Sequence, residues 1–360
     1  MKILFAGGGT LGPVIPLLAI ANTWKQTNPS VEFIWAGTSW GPEKAFIEHA
    51  QINFYSFPIV RLRRSFSWEW FILPWRFLHA CWMAWKLLQT QQPDLIASVG
   101  GFTTVPFMIV GWVLGIPSWI HQQDMVISLT TRLSTPFASS VSVAWPSLLS
   151  FFPAKKTILL GNPVREEIQY GNRDQAQEQF HLDSKYPTLL VMGGGSGSLW
   201  INKQISQILS KLLEKINIIH ITGQGKQMAC TAIKGRYVVR EFLMDELACA
   251  YAIADIILSR CGMGSITECA ALHKTAIFIP LVDSPQEKNA MEIKKQQAAI
   301  VLSQENTDAQ ILKQTIFDLI DHPKQCKILA DRMHELIKTN TNKAFILHLE
   351  ELIKNKGKKR

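Results

Sequence analysis

The chain has 360 residues, of which 47% are hydrophobic and 18% charged. At roughly 150 residues per domain this length predicts two domains, and the composition excludes a disordered or collagen-like chain. The net charge of +9 and pI near 9.2 suit nucleic acid, an anionic membrane face or a phosphate-bearing ligand, without choosing among them.

The amino terminus does not read as a secretory leader. Lys2 precedes only Ile3-Leu4-Phe5-Ala6 before glycines begin. Six cysteines occur with no CxxC pair, so neither a disulfide framework nor a zinc module is expected. A reduced cytosolic compartment is the simplest expectation.

In chain order, the first predicted unit is a β-rich run, the turn Gly7-Gly8-Gly9-Thr10-Leu11-Gly12, and an apolar helical pattern. Strands are predicted over 31–37 and 95–99. Residues 95–120 carry no charge and are long enough to span a bilayer. However, Gly100-Gly101, Pro106, Gly111, Gly115 and Pro117 divide them. The preferred reading is a strand, a glycine turn, a buried helix near 106–114 and a strand near 118–121.

The strand–glycine–helix start appears again at Thr188-Leu189-Leu190-Val191-Met192-Gly193-Gly194-Gly195-Ser196-Gly197, followed by strands over 218–222 and 255–259. Two such starts predict two doubly wound α/β halves. The expected domains are 1–160, 161–339, and a closing helix with a basic tail over 340–360.

Several turns could carry chemistry. Gly7-x-Gly9-x-x-Gly12 matches a dinucleotide fingerprint. The second strand ends without the acid that NAD binding requires, so a loop facing phosphate or acceptor is favoured. Arg260-Cys261-Gly262-Met263-Gly264-Ser265-Ile266-Thr267-Glu268 follows a strand and opens a helix, a ready site for phosphate. Ser265-x-x-Glu268 also fits a capping box, and the residues alone do not decide whether Glu268 caps its helix or binds a diol. Ser284-Pro285 predicts another helix start, placing Gln286 and Asn289 one turn apart for a polyhydroxylated ligand. His121-Gln122-Gln123-Asp124 follows a strand end, where ligands gather in such sheets.

Arg61, Arg63 and Arg64 are followed by Trp68, Trp70, Trp75, Trp82 and Trp85. Indole rings beside cations suit the interface of an anionic bilayer. Nucleic acid is not expected, because no binding module is recognisable.

The set Gly8-Gly9-Thr10, Gly100-Gly101-Phe102, His121-Gln122-Gln123-Asp124, Gly161-Asn162-Pro163-Val164-Arg165, Gly193-Gly194-Gly195-Ser196-Gly197, Glu241-Phe242-Leu243, Arg260-x-Gly262…Glu268 and Gln286…Asn289-Ala290 resembles the MurG family. These are the N-acetylglucosaminyltransferases that convert lipid I to lipid II in bacterial peptidoglycan synthesis. The resemblance implies an α/β GT-B fold of two Rossmann-like doubly wound domains with an interdomain cleft. It implies UDP-N-acetylglucosamine as donor and the lipid-linked acceptor undecaprenyl-diphospho-muramoylpentapeptide. It also implies inverting transfer without metal or cofactor, and peripheral attachment to the cytoplasmic face of the plasma membrane.

By the same resemblance Phe242 and Leu243 border uracil, and Glu268 binds the ribose diol. Gly262, Met263, Gly264, Ser265, Ile266 and Thr267 present N–H groups to the diphosphate, with Arg165 near it. Gln286 touches the sugar, and Thr10, Leu11 and Gly12 face the diphosphate and acceptor. The chain departs from the family pattern at several positions. Pro13 stands where the family has a histidine, which removes a proton acceptor there. Phe102 replaces a tyrosine, and Gly195 replaces the serine that binds donor. Asp124 and His121 are then the candidates for the general base. The altered loops leave two alternatives, a different membrane glycolipid as acceptor or a UDP-sugar-binding protein without turnover.

Overall fold

The structure, a computed structural model, describes residues 1–57, 69–101, 103–226, 235–339 and 341–356. Arg61, Arg63, Arg64, Trp68, Phe102 and the tail residues Lys358, Lys359 and Arg360 lie outside the described residues, as does the side chain of Trp70. The chain divides into two compact units, residues 1–164 with 340–360, and residues 165–339.

The first unit is a parallel sheet of seven strands: β1 (Lys2–Ala6), β2 (Glu32–Thr38), β3 (Asn53–Phe57), β4 (Leu95–Ser98), β5 (Ser118–Gln122), β6 (Ser140–Val143) and β7 (Thr157–Leu159). Their order is β3-β2-β1-β4-β5-β6-β7. Helices α1 (Val14–Thr27), α2 (Glu43–His49), α3 (Glu69–Gln91), α4 (Thr104–Val113) and α5 (Leu129–Ser134) link them. All four residues of β4 are buried, as a strand covered on both faces requires. The uncharged stretch 95–120 is therefore β4, α4 and β5, as its glycines and prolines predict. Among the described residues no helix is long and apolar enough to cross a membrane.

The strand order reverses between β1 and β4, so the loops after these strands form a switch point where ligands gather. Gly101, at φ +107°, approaches so closely that a Cβ would stand 2.8 Å from the Gly8 nitrogen, and only glycine fits.

Helix α3 explains the tryptophan-rich stretch. Ala80, Ala84 and Leu88 form its buried face. Ile72, Trp75, Leu78, Trp82 and Trp85 occupy the opposite face, and Trp75 is 73% exposed. Lys86 places its ammonium 5.8 Å from the Trp82 ring centre. Trp112 and Val113 are exposed on α4, the helix that packs on α3. A buried core helix does not describe this element.

The second unit is a parallel sheet of six strands: β8 (Thr188–Met192), β9 (Asn217–Ile221), β10 (Tyr237–Arg240), β11 (Ile256–Ser259), β12 (Thr275–Phe278) and β13 (Ile300–Val301). Their order, β10-β9-β8-β11-β12-β13, repeats that of the first unit. Its helices are α6 (Arg173–Phe180), α7 (Leu199–Leu212), α8 (Leu247–Ile253), α9 (Met263–Ala271), α10 (Gln286–Lys295), α11 (Ala309–Asp321) and α12 (Pro323–Leu336). Here the switch point lies between β8 and β11. The Gly193–Gly197 turn and the Arg260–Gly262 turn both fall on it.

The closing helix α13 (Asn342–Lys356) is part of the first unit and not a separate piece. Phe345 and Leu349 are buried in the first core with Trp24, Trp35 and Trp119. Asn342 is buried and accepts from Val164 N at 3.2 Å while donating to Val164 O at 2.8 Å and Thr23 Oγ1 at 2.9 Å. The division between units thus falls after Val164, four residues beyond the boundary expected at 160.

Candidate active site

In the second unit, β11 delivers the chain into α9. Gly262 is the N-cap, with extended backbone and no side-chain cap. The N–H groups of Met263, Gly264 and Ser265 therefore have no partner within the helix. The first turn carries no acidic residue, so the positive end of the helix dipole is unopposed locally. Nothing lies within 4 Å of where a Gly264 Cβ would stand, which leaves room for a ligand. Ile266 is different, because its N–H already bonds Gly262 O at 3.1 Å. Thr267 is buried, and its hydroxyl bonds Met263 O at 2.7 Å. Within the run Met263–Thr267, the N–H groups without a partner in the helix are thus those of Met263, Gly264 and Ser265.

Two neighbours frame this helix start. The Gln286 amide nitrogen lies 3.7 Å from the Gly262 Cβ position, and its oxygen accepts from Leu281 N at 3.0 Å. Arg260 is buried and laces the strand ends together, donating to Ile279 O, Pro280 O and Ser198 Oγ at 3.2, 3.1 and 2.8 Å. Burial pulls its pKa below the ordinary arginine value. Gly195 lies exposed in the β8 turn, whose carbonyls at Ser196 and Gly197 accept from Lys226 Nζ at 2.7 and 3.2 Å. Asn289 does not face a ligand, being fully buried with its amide directed at Cys261 O, 3.4 Å away. At the end of β10, Phe242 is exposed and Leu243 is packed into the core.

Glu268 occupies the second turn of α9. The capping box does not form, because the helix begins at Met263 and Ser265 lies inside its first turn, accepting from Ser259 Oγ at 3.0 Å. Instead, Glu268 Oε1 accepts from Arg165 Nε at 3.1 Å and Nη2 at 2.5 Å. Its Oε2 accepts from the Tyr251 hydroxyl at 2.6 Å. Burial works against the Arg165 charge, but Glu268, Tyr251 and Glu167 together outweigh it and hold the pKa above the ordinary value. Tyr251 is held well above the ordinary tyrosine range by burial and then by Glu268. Sequence reasoning missed Tyr251, because nothing local marks a tyrosine in α8 as the partner of a residue in α9.

In the first unit, Thr10 and Gly12 are exposed and Leu11 is half-buried. Leu11 O accepts from Val14 N and Ile15 N, both at 3.1 Å, which closes the first turn of α1. Gln123 Nε2 donates to Gly12 O at 3.1 Å, joining this loop to the end of β5, where Asp124 is half-buried. Gln122 supports the segment by donating to Asp124 O at 2.7 Å. A second residue missed in the sequence is Glu43. It is fully buried, and its Oε1 accepts from Gly9 N at 3.0 Å, Thr38 N at 2.7 Å and Thr38 Oγ1 at 2.5 Å. The glycine turn is stapled from beneath by this carboxylate.

His121 does not serve as the base. It is 0% exposed, with Nδ1 2.8 Å from Ser142 Oγ and Nε2 3.0 Å from Asn162 Oδ1. Its ring stacks on Trp119 and meets Phe345 edge-on. Burial lowers its pKa to about 4, only partly offset by Asn162 and Ser142. A neutral ring with both nitrogens engaged in the core cannot touch an acceptor.

Comparison with known proteins agrees with this architecture. The glycosyltransferase family 28 N-terminal domain matches residues 3–143, and the family's C-terminal domain matches residues 188–347. The chain belongs to glycosyltransferase family 28. It is therefore a UDP-sugar glycosyltransferase. The UDP-N-acetylglucosamine--N-acetylmuramyl-(pentapeptide) pyrophosphoryl-undecaprenol N-acetylglucosamine transferase of Geobacillus kaustophilus is 34% identical over 326 residues, covering 89% of this chain and 91% of that one. The enzyme of the same name from Clostridium tetani is 30% identical over 356 residues, covering 98% and 96%. These relatives place the chain within the MurG family. Among solved structures, Acinetobacter baumannii MurG superposes with a TM-score of 0.74 at 24% identity, covering 97% of this chain and 99% of that one. The Neisseria meningitidis UDP-GlcNAc 2-epimerase bound to UDP-GlcNAc gives 0.68 at 15% identity, covering 98% and 100%. These likenesses establish the GT-B class of fold.

Proposed function

We infer that this family 28 enzyme transfers N-acetylglucosamine from UDP-N-acetylglucosamine to the lipid-linked muramoyl-pentapeptide acceptor, the reaction named for its curated relatives. The observation that carries the site assignment is the start of α9. Three unpaired N–H groups, the Gln286 amide and the Glu268 carboxylate lie on or beside one helix at the switch point of the second sheet.

In this reading the acceptor hydroxyl attacks the anomeric carbon of the donor sugar, the bond to the diphosphate oxygen breaks, and UDP leaves with inversion. Negative charge grows on the diphosphate as that bond breaks. The α9 N–H groups stabilise it and, being already oriented, need little reorganisation, and Arg165 adds its positive charge. Glu268 accepts the ribose hydroxyls, Phe242 and Leu243 flank uracil, and Gln286 holds the sugar. The first-unit loop at Thr10, Leu11 and Gly12 receives the acceptor, and Asp124 takes the proton of the attacking hydroxyl. With Pro13 unable to accept a proton and His121 sealed in the core, Asp124 is the carboxylate that follows Gln123, whose amide bonds this loop at Gly12 O.

The α3 face docks the protein on the cytoplasmic side of the membrane. Trp75, Trp82 and Trp85 reach the headgroup level with Lys86 beside them, and Arg61, Arg63, Arg64, Trp68 and Trp70 extend the stripe in sequence. The test of the reaction is UDP release from UDP-N-acetylglucosamine with synthetic lipid I, expected in the wild type and strongly reduced in Glu268→Ala. Absence of UDP release with lipid I would reject the acceptor assignment. The test of docking is co-sedimentation with vesicles containing anionic lipid. Trp75→Ala combined with Trp82→Ala is expected to weaken binding at least about a hundredfold, at about 1.5–3 kcal/mol per large apolar side chain withdrawn from the interface. Unchanged sedimentation would reject this face.

A further inference from the structure

Glu268 makes more contacts than a diol-binding carboxylate can keep. A carboxylate offers about four lone-pair positions. Arg165 takes two on Oε1 through Nε and Nη2, and Tyr251 takes one on Oε2. What remains is about one position, and a ribose diol brings two hydroxyl donors.

The two partners differ in how they are held. Tyr251 is fully buried in α8, packed in the core and unable to leave without opening it. Arg165 is the first residue of the second unit, and its side chain keeps 27% of its surface exposed, against 10% for Glu268. An arginine retracting from Glu268 has a path to solvent. It also has a destination, since Met263, Gly264 and Ser265 lie roughly 5–8 Å back along the helix axis at 1.5 Å per residue. A diphosphate on those N–H groups would draw the guanidinium with charge-assisted contacts of the kind it gives up on Glu268.

We propose that Arg165 is a built-in stand-in for the ribose diol: it occupies Glu268 Oε1 until a nucleoside diphosphate arrives and then passes to the diphosphate, while Tyr251 holds Oε2 fixed throughout. This rests on the reading of Glu268 as the diol residue. The exchange keeps the buried carboxylate paired when donor is absent, which matters because an unpaired buried charge is strongly destabilising. It also makes the site selective for phosphorylated nucleosides. Uridine alone offers the guanidinium no new partner, so it has to displace Arg165 without compensation.

The test is equilibrium binding of UDP, uridine and 2′-deoxyuridine to the full chain, with a thermal melt to verify folding. Arg165→Gln is expected to weaken UDP by about tenfold or more, the equivalent of one charge-assisted contact, and to leave uridine bound at least as tightly as in the wild type. Equal weakening of UDP and uridine would overturn the exchange. If Arg165→Gln lacks a cooperative melt, Arg165→Met, which also removes the charge at similar length, carries the same comparison. Tyr251→Phe is expected to weaken both ligands and to reduce the preference for uridine over 2′-deoxyuridine, whereas a tyrosine that merely packs would leave that preference intact and so overturn its part. Tyr251→Met, which removes the same hydroxyl, replaces it if Phe does not fold. Glu268→Gln separates the two levels. Retention of the ribose preference in that variant rejects the diol reading itself, and loss of the preference there together with its retention in Tyr251→Phe rejects only the holding role.

Discussion

The two units share one strand order and put a glycine turn at the same topological place, yet they use it differently. In the second unit the polar groups stay available. The first turn of α9 has no side-chain cap and no acid, and the buried Glu268 is paired with Tyr251 and with Arg165, whose side chain stays 27% exposed. In the first unit comparable polarity is turned inward. Glu43 staples the glycine turn from below, His121 is spent on Ser142 and Asn162, and proline stands before α1. The outward face of that unit is apolar instead, carried by α3. One scaffold thus gives a lobe suited to an anionic, hydroxyl-rich nucleotide and another suited to a lipid-borne partner.

The hardest test of this contrast is Asp124→Asn. If the first unit supplies the base, kcat falls by about 10²–10⁴-fold while donor KM stays unchanged in steady-state kinetics. Full turnover would leave the first unit with no catalytic share.

A second test uses the buried rings, one in each unit. Burial lowers both His121 and His220 from 6.5 to about 4. Between those values the unfolded chain binds protons that the folded rings refuse, so stability is complete above pH 6.5 and falls as pH drops towards 4. Each ring is expected to remove about 1.4 kcal/mol per pH unit inside that window. Urea unfolding at stepped pH checks the slope. Loss from one unit only would show that the two cores are not alike in this respect.

Smaller effects sharpen the assignment of ligands to lobes. Glu268→Ala is expected to raise donor KM about 10–100-fold, the equivalent of about 1.5–3 kcal/mol for contacts to a charged group, with acceptor KM constant. Glu43→Gln should do the reverse and more mildly. It loosens the turn beneath Gly9 and raises acceptor KM by about fivefold, the equivalent of about 1 kcal/mol, with donor KM constant. A shift in the same parameter for both variants would break the comparison.

Much of the architecture was legible before any coordinates. Runs such as Leu95–Ser98 and Thr188–Met192 are uncharged and lead into glycine turns, and both became buried parallel strands. The glycine turns at the two switch points were legible too, since they sit where such strands end. What misled was side-chain fate. Ser265 and Glu268 have capping-box spacing, but the helix started two residues before Ser265, and the carboxylate turned to Arg165 and Tyr251. His121 stands in a polar run at a strand end, and its ring nevertheless entered the core.

The amino-acid sequence by itself determined the two doubly wound halves and the positions of the glycine turns at their strand ends, because glycine, proline and apolar periodicity act within a few residues of chain. Only the tertiary structure decided which groups meet. It brought Arg165 and Tyr251 to Glu268 from 103 and 17 residues away, Glu43 under Gly9, and Phe345 of the last helix into the first core. Those partnerships follow from burial, which forces each enclosed charge or donor to find whatever partner the packed elements place beside it.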